Sequence, residues 1–518
     1  MEKAKKHILT NVSKAVGVLT IITIISKFLG LFREIGIAAA FGAGMETDAF
    51  YVAVLIPTLI FTSVGLALQN LFMIEFTKVK EQTNSLKNQS LLISKMVNIL
   101  LVTAILLFVI SFLFADALVK IIAPGFVDPD KVSLTVVLTR ILLPVIIIIP
   151  IYNIKASVMK VYNRFGTIGM IDLIFNVAQL TYLLLFADRF GIHGLAYAIL
   201  GAYLLQLIIV EILMYRLGFR HYFCFGFKDD AIKRIFGLFL PTLLAFAIIQ
   251  VNAMVEKMIA STLPEGSISA LNYALTVRNL VFNVFVLSVL TVIYPKLLHH
   301  RTNHEEEEYQ DTSIKTLKFL IVGIIPMVMT IMLFSNTIIK VIFERGEFLL
   351  EATLVTGQAL FYYAIGILFF SLKEFFVKIS FVNQDTRLPL FITFIGALLH
   401  ISLSLLLLPS MGINGIALGL SISELISLIV LVIFIGKNGY LALGDNSGDV
   451  FKIVLITFIV GIPAYFVQPY LNVTGGFIIQ ALAVLAGFVV IVVSFVLLAL
   501  LFRVDLFKSI FKRGERKS

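Results

Sequence analysis

Apolar runs of about 20 residues recur from one end of the chain to the other, each long enough to cross a hydrocarbon core of roughly 30 Å as a helix. Polar residues collect between the runs and do not alternate with apolar ones inside them, which argues against the strands of a membrane barrel. The pattern predicts about fourteen spanning helices. The first seven lie near Ala15–Phe41, Asp48–Phe76, Leu91–Ile122, Ser133–Lys155, Thr167–Ala187, Gly194–Leu217 and Ile232–Ala260. The remainder lie near Ser269–Tyr294, Leu317–Phe343, Ala352–Ser380, Leu388–Leu408, Gly415–Ile435, Val450–Tyr470 and Gly476–Phe502.

Composition agrees with an all-α polytopic membrane protein. Of 518 residues, 59% are hydrophobic and 14% charged, with a mean hydropathy of +1.02. The basic stretch Met1–Lys14 is followed by a run too long for a signal peptide, and that run carries Lys27, Arg33 and Glu34, so it is read as an uncleaved first helix. Cys224 is the single cysteine, which excludes an internal disulfide and a thiolate metal cluster. The net charge of +10 fits lysines at helix ends facing anionic headgroups better than a nucleic-acid partner.

The basic residues are asymmetric. One set of loops and both ends carry most of them, from Lys3 and Lys5 through Lys78, Arg164, Arg220 and Arg301 to Arg513 and Lys517; the other set carries chiefly Lys131, Arg189 and Arg345. This asymmetry places both termini in the cytoplasm, which an even number of spans satisfies. The stretch His299–Glu308 then falls in a cytoplasmic loop, where a solvated linker is a better reading than a metal site.

An internal repeat organises the spans. GIHGLAYAILGAYLLQL from Gly191 and GINGIALGLSISELISL from Gly412 are 221 residues apart, as are Gly125 of APGF and Gly346 of ERGEF, and Asp48 and Ser269. The expected architecture is two lobes of about six helices related by an axis along the membrane normal, 1–220 and 221–440, with 441–518 supplying two further helices and a basic cytoplasmic tail.

Two such lobes leave a seam, where transporter folds place substrate, and charges inside the spans should mark it. The first span holds Lys27, Arg33 and Glu34, and its repeat counterpart holds Glu256 and Lys257. Asp48 opens the second span, Arg140 and Lys155 lie in the fourth, Arg278 in the eighth, and Lys373 and Glu374 in the tenth. Lys27 and Glu34 share a face with Gly30 between them, whereas Arg33 points elsewhere unless the helix bends. Arg33–Glu34 and Glu256–Lys257 read either as cavity groups or as structural ion pairs and snorkelling side chains. The excess of cations suits an anionic substrate, since arginine holds a phosphate through paired hydrogen bonds. No P-loop, catalytic triad, zinc spacing or acidic pair for glycosyl transfer is present, so neither an enzyme nor a cofactor is expected.

SKFLGLFRE (Ser26–Glu34), FGAGMETDAFYVAVLIP (Phe41–Pro57), APGF (Ala123–Phe126), RILLP (Arg140–Pro144), FERGEF (Phe343–Phe348) and QDTRLP (Gln384–Pro389) resemble the MurJ/MviN lipid II flippase family, within the multidrug/oligosaccharidyl-lipid/polysaccharide exporter superfamily. The resemblance implies fourteen helices, two six-helix lobes around a cationic cavity, and a groove formed by the last two helices for a lipid tail. It implies an undecaprenyl-pyrophosphate-linked disaccharide-pentapeptide as substrate, moved by alternating access, with cell-wall synthesis machinery as a partner. It assigns cavity cations to Lys27 and Arg33 and an acid to Asp48. The family's basic position in the eighth span falls on Thr276, with Arg278 two residues on, and no cation follows Pro57 where the family carries an arginine. A flippase for another undecaprenyl-linked glycan is the runner-up; a cation-coupled drug exporter would favour acidic and aromatic cavity groups.

Overall fold

The computed structural model describes residues 2–83, 85–226, 228–442 and 476–502, with scattered positions between 452 and 466. The span expected at Val450–Tyr470 lies largely, and the basic tail from residue 503 wholly, outside the described residues. Every described regular element is a helix. A bilayer leaves no water for unpaired N–H and C=O groups, so runs this apolar pair them internally. Eleven described helical stretches are long and apolar enough to cross a membrane.

The chain forms two compact units, Met1–Ser269 and Ala270–Ser518. The first contains α1 (Glu2–Phe41), α2 (Met45–Gln82), α3 (Leu86–Leu113), α4 (Ala115–Ile122), α5 (Pro129–Leu142), α6 (Val145–Val161), α7 (Phe165–Leu185), α8 (Ala187–Arg216) and α9 (Asp230–Ala260). α2 packs against α5, α6 and α9, and α1 lies along α7. Phe72, Phe76, Met96, Ile154 and Ile235 are among the buried side chains of its core. Packing thus groups α9 with α2, although the sequence repeat begins a new period near residue 220.

One expected span is broken and a second carries a turn. Leu91–Ile122 becomes α3 and α4, because Phe114 leaves helical geometry with φ −101° and ψ 21°. Ser133–Lys155 lies within one apolar stretch, Pro129–Val161, in which α5 and α6 meet at a turn at Leu143–Pro144, where proline offers no N–H for the helical ladder. Asp128 caps α5 by accepting from Asp130 N at 3.0 Å, and Pro129 occupies its first turn. α1, by contrast, runs unbroken through Gly30.

The second unit holds most of α10 (Ser267–Val281), a π-helical turn (Phe282–Val286), α11 (Leu287–Thr302), α12 (Glu306–Phe343), α13 (Leu350–Val382), α14 (Arg387–Met411), α15 (Ile413–Lys437) and α16 (Phe477–Leu501). α13 packs against α12 and α15, and α14 against α15. Ile491, Phe495 and Ala499 of α16 are buried with Ile325 and Met329 of α12. Leu113, Leu184, Leu406 and Val490 are exposed, as lipid-facing residues must be.

Lys95 in α3 pins the start of α9. Its Nζ lies 2.7 Å from Asp229 Oδ2, while Asp229 Oδ1 accepts from Ala231 N at 3.0 Å. Burial works against the Asp229 carboxylate, but the Lys95 ammonium and the helix N–H groups hold its pKa below the usual aspartate value. A depressed pKa contributes stability above the unfolded value, about 3.9, and loses it as pH falls through the folded value. Asp229→Asn should therefore cost about 1 kcal/mol or less near neutral pH, and its deficit against wild type should shrink on acidification. Thermal unfolding of both proteins in detergent at pH 7 and at about pH 2.5, below the unfolded value, checks this; an equal deficit at both would assign the effect to something other than the charge.

Candidate substrate site

A polar network crosses the first unit from α1 to α9. Arg33 Nη2 meets Glu34 Oε1 at 2.6 Å, and Arg33 Nη1 donates to Asn176 Oδ1 on α7 at 3.2 Å. Neighbours in sequence on an unbent helix pair here because the arginine side chain reaches around the helix to its neighbour. The guanidinium also lies 5.6 Å from the Phe175 ring centre. Asn176 Nδ2 lies 3.4 Å from Ser26 O and Oγ, and Gly30 keeps the facing side of α1 flat beside it. Glu34, 6% exposed, accepts from the Tyr51 hydroxyl at 2.6 Å through Oε2. Lys257 donates to Tyr51 O at 3.3 Å.

This network gathers Arg33, Glu34 and Lys257, and it adds Tyr51 and Asn176, which carry no charge for a hydropathy reading to notice. Arg33 Nε is buried with no hydrogen-bond partner among the described residues, so one donor of the fork remains unspent. Lys27 is exposed and carries no ion pair among the described residues. Glu256 is half-buried beside Lys257.

Asp48 is differently placed. It is 1% exposed, and four donors converge on its carboxylate. Oδ2 accepts from Lys131 Nζ at 2.9 Å and Gly266 N at 2.8 Å; Oδ1 accepts from Ser269 N and Oγ, both at 2.9 Å. Asp48 thereby caps the first turn of α10 while neutralising a buried lysine. Lys131, expected as an ordinary loop charge, is buried because its partner lies 83 residues away in sequence. Arg140 pairs with Asp116 at 2.9 Å, both side chains well exposed, as an ordinary surface ion pair.

In the second unit, Thr276 donates to Asn272 O of its own helix at 2.9 Å. Arg278 is 6% exposed, with its guanidinium 4.7 Å from the centre of the Phe370 ring. Lys373 Nζ lies 5.2 Å from the same ring and 2.5 Å from Glu424 Oε2 on α15. Arg278, Phe370, Lys373 and Glu424 therefore form one buried cationic-aromatic cluster. Glu424 was not among the charges singled out in the sequence, although it stands in a helix otherwise largely apolar or small. A separate cavity of about 790 Å³ among α12, α13 and α15 is lined by Asn336, Gln358, Tyr362 and Asn414 with Met329 and Ile462, and no charged side chain lines it among the described residues.

The sequence profile of "Lipid II flippase MurJ" matches residues 37–503. The chain belongs to the MurJ lipid II flippase family. A relative from Rhizobium meliloti (strain 1021), named "Probable lipid II flippase MurJ", is 27% identical over 402 residues, covering 76% of this chain and 75% of its own length. One of the same name from Rickettsia prowazekii (strain Madrid E) is 26% identical over 412 residues, 78% of this chain and 80% of its own. The solved "Lipid II flippase MurJ, inward closed conformation" shares the fold with a TM-score of 0.79 at 23% identity, covering 94% of this chain and 99% of that one. An inward-facing multidrug resistance MATE family transporter of the MOP superfamily gives 0.68 at 15% identity over 82% of this chain and 98% of that one.

The MurJ-like motifs divide by physical role. FGAGMETDAF supplies Asp48, and APGF supplies Gly125, whose added Cβ would run into the Ser261 backbone. In FERGEF, Phe343 and Phe348 bury against Tyr273, ring centres 5.0 and 5.4 Å away, around Gly346 at φ 58°. In QDTRLP, Asp385 accepts from Arg387 N and Leu388 N at 3.1 and 3.0 Å and opens α14. SKFLGLFRE carries Arg33, whose Nε has no hydrogen-bond partner among the described residues, and RILLP carries Arg140, whose Nε is likewise unmet there.

Removing Asp48 should act on folding. Asp48→Ala strands the Lys131 ammonium and should cost about 3–5 kcal/mol, the range for half of a buried ion pair. Asp48→Ala/Lys131→Met should recover part of that loss. Detergent-solubilised thermal midpoints and membrane levels of the three proteins measure it, and equal losses in single and double variants would refute the pairing.

Proposed function

We propose that the chain flips lipid II, the undecaprenyl-pyrophosphate-linked peptidoglycan precursor, from the inner to the outer leaflet by alternating access. Membership of the family carries this reading, and the Arg33 network supports it. A pyrophosphate approaching Arg33 competes with Glu34 for the guanidinium and finds Nε without a hydrogen-bond partner among the described residues. Paired donors suit phosphate oxygens, and burial strengthens each contact. Tyr51 and Asn176 hold Glu34 and Arg33 in place, so both groups are oriented before substrate arrives. Arg278 and Lys373 supply a second cationic centre, with Glu424 as counter-charge.

The remaining parts of the proposal follow the chain's charge and repeat. Lobes 1–220 and 221–440 with helices 441–518 describe the transport unit, and both termini face the cytoplasm, on the basic-loop asymmetry. Cell-wall synthesis machinery, which consumes the flipped precursor, is the expected partner. A flippase for a wall, capsular or exopolysaccharide precursor is the second reading, favoured by the uncharged stretch TLIFTSVGLALQN after Pro57.

Depletion in cells separates the two. Lipid II should accumulate on the inner leaflet; accumulation of a different undecaprenyl-linked glycan would select the second reading. Arg33→Ala should abolish transport at normal membrane levels, and Arg33→Lys should rescue only in part, because a single ammonium lacks the planar fork. The double variant Arg33→Ala/Glu34→Ala should be equally inactive; a working double would reduce Arg33 to a partner of Glu34. For orientation, with Cys224 replaced, a cysteine at Glu265 should react with an impermeant thiol reagent from outside, and one at Ser518 should not.

A further inference from the structure

The end of α11 and the start of α12 bring two imidazoles and a carboxylate together. Ligand atoms of His299, His300 and Glu305 all lie within 4.8 Å of one another. The backbone makes this turn: Asn303 N bonds His299 O at 3.0 Å, Glu305 N bonds His300 O at 2.9 Å, and His304 takes φ 60° between them. Glu305, the cap residue of α12, is thus folded back over the last turn of α11. Its Oε2 lies 2.6 Å from His300 Nδ1, and the His299 and His300 rings stand at 87° with centres 5.9 Å apart. Asn303 Nδ2 is 3.2 Å from His299 Nε2.

We propose that His299, His300 and Glu305 bind a divalent transition metal of the zinc class. Two imidazoles and one carboxylate are a zinc donor set that leaves at least one position for water. Hard cations such as magnesium prefer all-oxygen surroundings, so the set discriminates against them. Zinc–ligand bonds of about 2.0–2.2 Å need the three atoms to close by roughly 1.5 Å from their widest spacing. These are side chains at a helix–helix turn, with 24% exposure for His300 and 39% for Glu305, so rotamer changes suffice. Arg301 is engaged with Glu306 and leaves Glu305 to the histidines. The bound ion would join the C-terminal turn of α11 to the first turn of α12 and stiffen their junction.

The test is calorimetric titration of the full-length, tag-free protein in detergent with zinc chloride, and with magnesium chloride as control. One equivalent of zinc should bind, and magnesium should not compete. Loss of an outer-shell partner alone weakens a metal site about tenfold or more, so His299→Ala/His300→Ala and Glu305→Gln should each exceed that. Cobalt(II) substituted for zinc should show the visible bands of a four-coordinate ion in wild type and lose them in the double histidine variant. Unchanged stoichiometry and affinity in that variant, or zinc bound no tighter than magnesium, would overturn the proposal. Matching thermal midpoints of the metal-free proteins ensure that a loss reflects the ligands.

Discussion

The first unit depends on the four donors around Asp48. A carboxylate buried in a membrane protein has no water to solvate it, and its cost is offset only if every lone pair is met. Here a lysine from α5, two backbone N–H groups and a serine hydroxyl do so. The surrounding loop is shaped to permit that convergence: Met45 N reaches Glu265 Oε1 at 2.5 Å, and Gly266, at φ 84°, presses against Ala43 O where a Cβ would lie 2.5 Å away. One acidic side chain thus fixes the entry of α2, the depth of α5 and the first turn of α10.

The charges of the Arg33 network obey a different logic. Asp48 is saturated, whereas Arg33 is restrained but not saturated: it has one charged partner, one neutral partner and one idle donor. A fully neutralised site holds its geometry and binds nothing further; an under-satisfied one is unstable enough to accept a ligand. Arg140 and Arg278 differ in surroundings: Arg140 is part-exposed beside Asp116, and Arg278 is enclosed against Phe370.

Much of the fold was legible because the bilayer demands it. Runs of apolar residues long enough to span announce themselves, whatever packs beside them. The break after α3 was less visible: Phe114 stands in a run that reads as continuous, since hydropathy is blind to backbone dihedrals. The site was legible where charge stood out against apolar background, as at Arg33, Glu34, Lys257 and Arg278. It was not where partners are neutral or remote. Asn176 orients Arg33 from 143 residues away, and Lys131 looked like a loop cation until its distant acid was found.

The π-helical turn at Phe282–Val286 has a consequence for how the chain can change over evolutionary time. Such a turn accommodates one surplus residue within an otherwise regular helix. One residue amounts to about 100° of rotation, so α10 and α11 present faces that a continuous helix would not align. Loss of a single residue in this stretch would restore one phase and swing Arg278 away from Phe370 relative to everything beyond the turn. An insertion or deletion there is a one-step change in the face that α10 presents relative to α11, achieved without substituting any residue on that face.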